Sequence, residues 1–408
     1  MVKSDKLKIV VVSACYSEGM GYTENCLPKA LAGLGHEVHV VSSTLNVYGN
    51  EPLYDQTYRS FLGPPRVASG RRMVDGYTVH RLDARLIGGY VSLRGLQRRI
   101  RELSPDIVHS IEIASLPTFA LAMQKPFAQF KLFCDTHQTM SSMKPYLKRS
   151  GSWVKKAMYR LTRTIPTRLS SLAVEKCYAV TPDCGEVAVR FYGVPRSKIR
   201  FLSLGTDTDT FHPAENDCDR IDLSRLRQAL GFTADDIVCI YTGRFSEEKN
   251  PLVLAQAIDA LAGNGGGFKG LFIGDGAQRE SIARCRNTTI LSFMTHRDLA
   301  QHYRAADIAV WPRMESMSML DAAASGIPVV VSDRIGEPGR VEGNGLMYQE
   351  NVVSSLVDVL RRLKNPEERR SKGAVGRRKM LDGFGWTRFA RVLEGDFRAA
   401  SRGVASEG

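Results

Sequence analysis

The chain has 408 residues, 43% of them apolar and 24% charged, which is the composition of an ordinary globular protein and enough length for two domains. A formal net charge of +13 suits an anionic partner: a phosphorylated small molecule, an anionic membrane surface or nucleic acid. No stretch approaches the ~20 apolar residues of a membrane-spanning helix. The eight cysteines form no Cys-x-x-Cys pair, which argues for reduced thiols in a cytosolic compartment and against a thiolate metal site.

Lys3, Lys6 and Lys8 ahead of Ile9-Val10-Val11-Val12 imitate a signal peptide, but the apolar run is short and meets Glu18 and Gly19 with no cleavage pattern. A first buried strand over 7–14 is therefore expected. A loop carrying Gly19-Met20-Gly21, a helix over 24–35 and a strand over 37–42 complete a βαβ unit. Gly19-x-Gly21 lacks the third glycine of a dinucleotide fingerprint, leaving a turn whose bare backbone a phosphate or sugar can approach. Beyond a polar, proline-marked stretch over 48–76, strands are expected over 77–83, 104–109 and 131–137, with an Arg-laced helix over 93–103. His137 lies at the carboxyl end of its strand, where open α/β sheets bind ligands. A functional and a structural histidine are both open readings there.

From 144 to 170 the character changes. Lys144, Lys148, Arg149, Lys155, Lys156, Arg160, Arg163 and Arg168 have no acid between them, and Val154, Met158, Leu161 and Ile165 fall on one helical face near Trp153. Such a helix can lie on an anionic membrane or pack its stripe on its own domain. No recognised nucleic-acid module accompanies the charge. A strand over 177–181, a helix over 182–192 and a strand over 199–204 then lead into a turn-rich exit. Asp207-x-Asp209 reads there as turn chemistry rather than a Mg²⁺ pair. The charged segment to Asp222 reads as an irregular linker between domains.

The second half restarts the pattern. A strand over 237–242 feeds the loop Gly243-Arg244-Phe-Ser-Glu-Glu-Lys249-Asn-Pro251, and a helix follows over 252–261. Strands over 270–273 and 290–293 and helices to 286 and over 297–304 precede the strand over 307–311, which Pro312 ends. The next loop holds Glu315, Ser316, Met317 and Ser318; a helix over 319–325 closes at Gly326, and a strand begins at Val329. Arg244, Lys249 and Glu315 thus leave one rim of a parallel sheet. Two cations, a run of backbone N–H groups and the carboxylates of Glu315 and Asp321 suit a sugar attached to a diphosphate. Taken singly, the two acids also read as solvated loop and helix-face residues. Helices over 352–363, 366–380 and 387–399 end the chain, with a loose tail from Ser401.

Gly243-Arg244-x-x-x-x-Lys249, Gly274-Asp275-Gly276, and Glu315 followed by Asp321-Ala-x-Ala-x-Gly326-x-Pro328-Val-Val resemble the C-terminal domain of a retaining GT-B glycosyltransferase of family 4, glycosyl transferases group 1. Gly35-His-Glu-Val38, Ser104-Pro-Asp-Ile-Val-His109 and Gly205-x-Asp207-x-x-x-Phe211-x-Pro213 extend the resemblance over most of the chain. It implies an α/β, GT-B fold of two Rossmann-like, doubly wound parallel-sheet domains facing an interdomain cleft. Residues 1–205 would be the acceptor side, 206–380 the nucleotide-sugar domain, and 381–408 a helix crossing back to the first.

The implied reaction moves a sugar from a nucleoside-diphosphate sugar to an acceptor hydroxyl, as in polysaccharide or glycolipid biosynthesis. The scattered cysteines point to the cytoplasm, and the basic segment over 144–170 to a peripheral place on the inner face of the cell membrane. By the family pattern Gly243, Arg244 and Lys249 bind the donor diphosphate, Glu315 lies beside the donor sugar, and Ser316, Met317 and Ser318 offer amides to the phosphate. Asp321 would hold the ribose hydroxyls, Gly21 would admit the donor to the first loop, and His137 would sit near the transferred sugar. No metal and no cofactor beyond the donor is implied; the partners are a sugar or lipid-linked acceptor and no nucleic acid. Two features depart from the pattern: the Glu315–Asp321 spacing is shorter than usual, and the second acid is usually Glu. A non-catalytic glycosyltransferase-like partner subunit and a GT-B epimerase or phosphorylase remain as alternatives.

Overall fold

The computed structural model describes residues 6–52, 54–140, 143, 153–262 and 267–402. The chain divides into two units. Met1–Asp55, Leu62–Leu204 and Trp386–Gly408 form the first; Gln56–Phe61 and Gly205–Gly385 form the second.

In the first unit the run Ile9, Val10, Val11 and Val12 is wholly buried, as an interior strand of a sheet covered on both faces must be. Its strands are β1 (Lys8–Ser13), β2 (Glu37–Ser43), β3 (Gly70–Val74), β4 (Tyr77–Leu82), β5 (Ala84–Ile87), β6 (Tyr90–Leu93), β7 (Ile107–Ser110), β8 (Lys131–Thr136), β9 (Cys177–Ala179) and β10 (Ile199–Phe201). The main sheet runs β10-β9-β8-β7-β1-β2-β4-β3, parallel except for the edge pair β3–β4, while β5 and β6 make a separate hairpin. Strand order reverses at β1 and β7, which pair with Ile9 opposite Ile107. That switch point opens a crevice at the strands' carboxyl ends. The final helix, Trp386–Arg402, belongs to this unit: Phe389, Ala390, Leu393 and Phe397 are buried with Leu27, Leu31 and Phe133. The Asp396 carboxylate on that helix accepts from Tyr178 Oη at 2.8 Å, Lys176 Nζ at 2.9 Å and Arg200 Nη1 at 2.6 Å.

The second unit holds β11 (Ile237–Thr242), β12 (Phe268–Ile273), β13 (Thr288–Leu291), β14 (Ile308–Trp311), β15 (Val329–Ser332) and β16 (Gly345–Tyr348). They form one parallel sheet in the order β13-β12-β11-β14-β15-β16, a doubly wound arrangement whose switch point lies between β11 and β14. Phe211, Phe245, Tyr303 and Trp311 are buried in its core.

Several expectations need correcting. The stretch to Asp222, read as irregular linker, enters the helix Asp217–Ala229. The Asn216 side chain accepts from the Asp219 N–H, and Asp217 and Asp219 sit in the first turn, a favourable helix start. The proline-marked stretch contains β3 as well as the short helices Tyr54–Thr57 and Arg59–Leu62. The last helix runs past Ser401 to Arg402. In the basic segment, residues 144–152, with Lys144, Lys148 and Arg149, lie outside the described residues. From Trp153 the chain is α-helical to Tyr159, a π-helix over Arg160–Thr164, and α-helical again over Ile165–Ala173.

Candidate active site

The loops that follow β11 and β14 leave neighbouring strands on the same rim of the second unit's sheet. Trp311 Nε1 donates to the Thr242 carbonyl at 3.3 Å, and Arg313 Nη1 to the Glu247 carbonyl at 3.1 Å, so the two loops are tied to each other. Glycine is required where the loop after β12 passes the loop after β11. Gly274 has φ +151°, and a Cβ there would collide with the Gly243 carbonyl oxygen.

On the first of these loops Arg244 is exposed and Lys249 half-buried. Burial, and then the Arg244 guanidinium, hold the Lys249 ammonium below its usual range, against the opposing pull of Glu248. Neither cation has an ion pair among the described residues. Between them the Ser246 hydroxyl is buried without a hydrogen-bond partner. Two cations and an orphan hydroxyl on a glycine-bounded loop are groups with which an anion can pair.

Glu315 is oriented by the segment after β15. Its Oε1 accepts from the Glu337 N–H at 2.8 Å and its Oε2 from Arg340 Nη1 at 3.2 Å. Ser316 Oγ and Ser318 Oγ are 2.8 Å apart, and the Ser316 N–H lies 3.4 Å from the Met319 sulfur. Met317 precedes the helix Ser318–Ala324 without a side-chain cap. Asp321, buried on that helix, accepts from Thr206 Oγ1 at 2.7 Å and lies 3.6 Å from His296 Nε2. The arrangement brings Arg244, Lys249, Glu315 and the two serines to one rim, and it turns Asp321 toward Thr206 and His296. Asp207 makes a turn instead of pairing with Asp209: its carboxylate accepts from the Asp209 and Thr210 N–H groups and from Thr210 Oγ1. Among the described residues no group of three or more His, Cys, Asp or Glu is arranged to hold a metal ion.

The first unit carries a second cluster at its own switch point. Gly21 follows β1 with φ +67°. His137 follows β8; its N–H donates to Glu112 Oε2 at 3.1 Å, and its Nε2 forms an ion pair with Asp135 Oδ1 at 3.3 Å. The other Asp135 oxygen accepts from the fully buried His109 at 3.1 Å. Burial alone would lower the His137 pKa, but Asp135, Glu112 and Glu24 raise it to about 9. Burial would likewise raise Asp135, yet His137 and His109 hold it well below the usual carboxylate range. Glu24, at the start of the helix Thr23–Gly33, is pushed up to about 7 by burial, against the pull of its own backbone N–H and of His137. The sequence signals His137 but not Glu24, Glu112, Asp135 or Ser246. The one local hint was Asp135 at the i−2 position of the same strand end.

Two doubly wound units, with loop clusters at their switch points, define a GT-B protein. Sucrose-phosphate synthase from Thermosynechococcus elongatus has this fold at a TM-score of 0.68 and 17% identity, over 98% of this chain and 100% of that one. HepE from Anabaena, in complex with UDP-glucose, matches at 0.67 and 15%, over 96% and 100%. Residues 26–210 match the family model described as Glycosyltransferase Family 4, and residues 236–365 that described as Glycosyl transferases group 1. The chain belongs to the group 1 glycosyltransferases. Among curated relatives, D-inositol 3-phosphate glycosyltransferase from Saccharomonospora viridis is 29% identical over 243 residues, 54% of this chain and 55% of that protein. The chain spans little more than half the length of several curated relatives it matches.

Proposed function

We propose that the protein is a retaining glycosyltransferase that moves a sugar from a nucleoside-diphosphate sugar to an acceptor hydroxyl, in polysaccharide or glycolipid biosynthesis. The observation that carries this reading is the pair Arg244 and Lys249, two cations on one loop with no ion pair among the described residues. Charge left uncompensated costs stability when partly buried, and a donor diphosphate supplies the missing partner. The name of the D-inositol 3-phosphate relative and the UDP-glucose bound to HepE support the same class of reaction and donor.

The chemistry follows from where charge develops. As the bond from the anomeric carbon to the diphosphate breaks, positive charge grows on the carbon and negative charge on the leaving oxygen. Arg244 forks two phosphate oxygens and Lys249 acts as a point charge; both are in place before the reaction, which is what makes such stabilisation effective. With two cations on the leaving group the transfer proceeds without a divalent metal. The acceptor oxygen bonds to the anomeric carbon on the face the diphosphate leaves, retaining configuration, and its proton passes to the leaving phosphate. Glu315, with the amides of Ser316, Met317 and Ser318, serves the sugar–phosphate end, and Asp321 the nucleoside.

Thermal stabilisation by a panel of nucleoside-diphosphate sugars tests the donor, since a ligand stabilises in proportion to its affinity and concentration. The anomeric configuration of the product tests retention. A protein that no member of the panel stabilises overturns the reading. One observation favours a non-catalytic partner subunit instead: both Glu315 oxygens already have protein partners. Slow hydrolysis of donor in the absence of acceptor decides against that alternative.

The acceptor in this proposal is lipid-linked and reached at an anionic membrane through residues 144–170. The support is a segment without acids whose Trp153, Val154, Met158, Leu161 and Ile165 are all exposed. No helix among the described residues is long and apolar enough to cross a membrane, so contact would be peripheral. Each Lys or Arg near an anionic surface contributes about 1 kcal/mol. Changing Lys148, Lys155, Lys156 and Arg160 to Glu should therefore release the protein from anionic liposomes in a flotation experiment. Unchanged flotation would favour a soluble acceptor.

A further inference from the structure

We infer that the membrane-facing surface has a second element: the β5–β6 hairpin, whose Leu86 and Ile87 enter the headgroup region of an anionic bilayer beside the helical stripe. The inference rests on the membrane reading above and extends it to residues remote in sequence.

The stripe is longer than its first turns. Leu161 is 64% exposed and Ile165 50%, and the row continues through Leu169 to Leu172, 70% exposed. Trp153 to Leu172 spans about 30 Å of helix. The hairpin closes on Gly88 and Gly89, both at positive φ, the two-residue turn that suits the twist of paired strands. With no side chain at the turn, the pair next to it is Ile87 and Tyr90; Ile87 on that face and Leu86 on the opposite one are 48% and 44% exposed.

Hairpin and helix belong to one surface. Ile87 pairs with Tyr90 across the ladder, so the two share a face. The Arg163 guanidinium lies over the Tyr90 ring, 3.2 Å from its centroid, and also donates to the Ala114 carbonyl. Arg163 leaves the π-turn inward, onto the hairpin, while Leu161 and Ile165 on either side face solvent.

Charge selects the occupant. Residues 84–101, like 144–170, contain no acid; Arg98 and Arg99 are paired with Glu102 just beyond, while Arg85 and Arg94 flank the hairpin itself. A second copy of this chain would set cations against cations. An anionic bilayer offers both an opposite charge and hydrocarbon within about 5–10 Å of its surface.

The test uses the full chain and vesicles of equal parts phosphatidylglycerol and phosphatidylcholine. Ile87→Trp in a Trp153→Phe background places a reporter on the hairpin; the remaining tryptophans, Trp311 and Trp386, are buried. Vesicles should shift its emission to the blue, and acyl-brominated lipid should quench it at least ~2-fold, as expected for a side chain at the headgroup–acyl boundary. The Leu86→Ser/Ile87→Ser variant should partition at least ~10-fold more weakly with an unchanged far-UV spectrum and thermal midpoint. Vesicle binding with neither quenching nor weakened partitioning overturns the hairpin inference and leaves the membrane reading standing. An unmodified protein that does not bind the vesicles overturns both.

Discussion

Asp135 and His137 leave the end of one strand two residues apart and meet again as an ion pair of 3.3 Å. Because Asp135 also holds His109, and Glu112 and Glu24 add to the field, the imidazole stays protonated to about pH 9. A raised pKa stabilises the fold fully below the unfolded value of 6.5 and loses that stabilisation as pH rises through about 9. Glu24, raised from 4.5 to about 7, adds a fall of the same sign at lower pH. Asp135, held low, contributes stability above the ordinary Asp range that is lost on strong acidification. The thermal midpoint should thus drop by on the order of 5 °C between pH 6.5 and 9. His137→Gln should flatten that limb, and Glu24→Gln the limb below pH 7. A profile unchanged by both would dissolve the network.

Arg244→Ala or Lys249→Ala should reduce turnover at least ~100-fold, the scale of removing one oriented donor to a transition state. Since neither cation has an ion pair among the described residues, the thermal midpoint of the free protein should stay the same or rise slightly. Equal activity in either variant would remove that residue from the donor site.

Turnover should survive exhaustive treatment with EDTA. Abolition by the chelator with rescue by Mg²⁺ or Mn²⁺ would show that two cations do not suffice for the leaving diphosphate.

Gly274→Ala should destabilise the second unit by on the order of 2–4 kcal/mol, because φ is +151° and the Gly243 carbonyl occupies the site of the new methyl group. Gly33→Ala is the contrast: it sits at a helix end with nothing within 4 Å of the added carbon. There the change should be neutral or stabilising by up to ~1 kcal/mol. Urea midpoints of the two variants measure the difference.

The parallel strands were legible because burial on both faces demands runs such as Ile9-Val10-Val11-Val12 and Val329-Val330-Val331. The loop after β11 was legible because backbones as close as those of Gly243 and Gly274 leave a glycine signature. Other elements carry no such mark. β3 is an almost wholly exposed edge, Gly-Arg-Arg-Met-Val, and the helix Asp217–Ala229 buries none of its residues, so neither shows an apolar period. The helix Leu116–Gln124 is mostly apolar, with no stripe to read. The carboxylates around His137 come from the ends of β7 and β8 and from the helix after β1. Their convergence depends on strand order, which no local pattern encodes.

The place of Trp386–Arg402 in the first unit has a consequence for biosynthesis. Phe389, Leu393 and Phe397 fill a core whose other walls, including Val11, Leu27 and Phe133, leave the ribosome much earlier. At about 5–20 residues per second, roughly 10–40 s elapse while Gly205–Gly385 is made. Throughout that interval the nascent first unit carries an open apolar groove and the unmet cations of Lys176 and Arg200, which await Asp396. The second unit, contiguous but for Gln56–Phe61, can close as soon as it emerges. Sequence order and order of completion are therefore reversed: the half begun first is finished last, and a stop codon only a few turns early would leave it without its keystone.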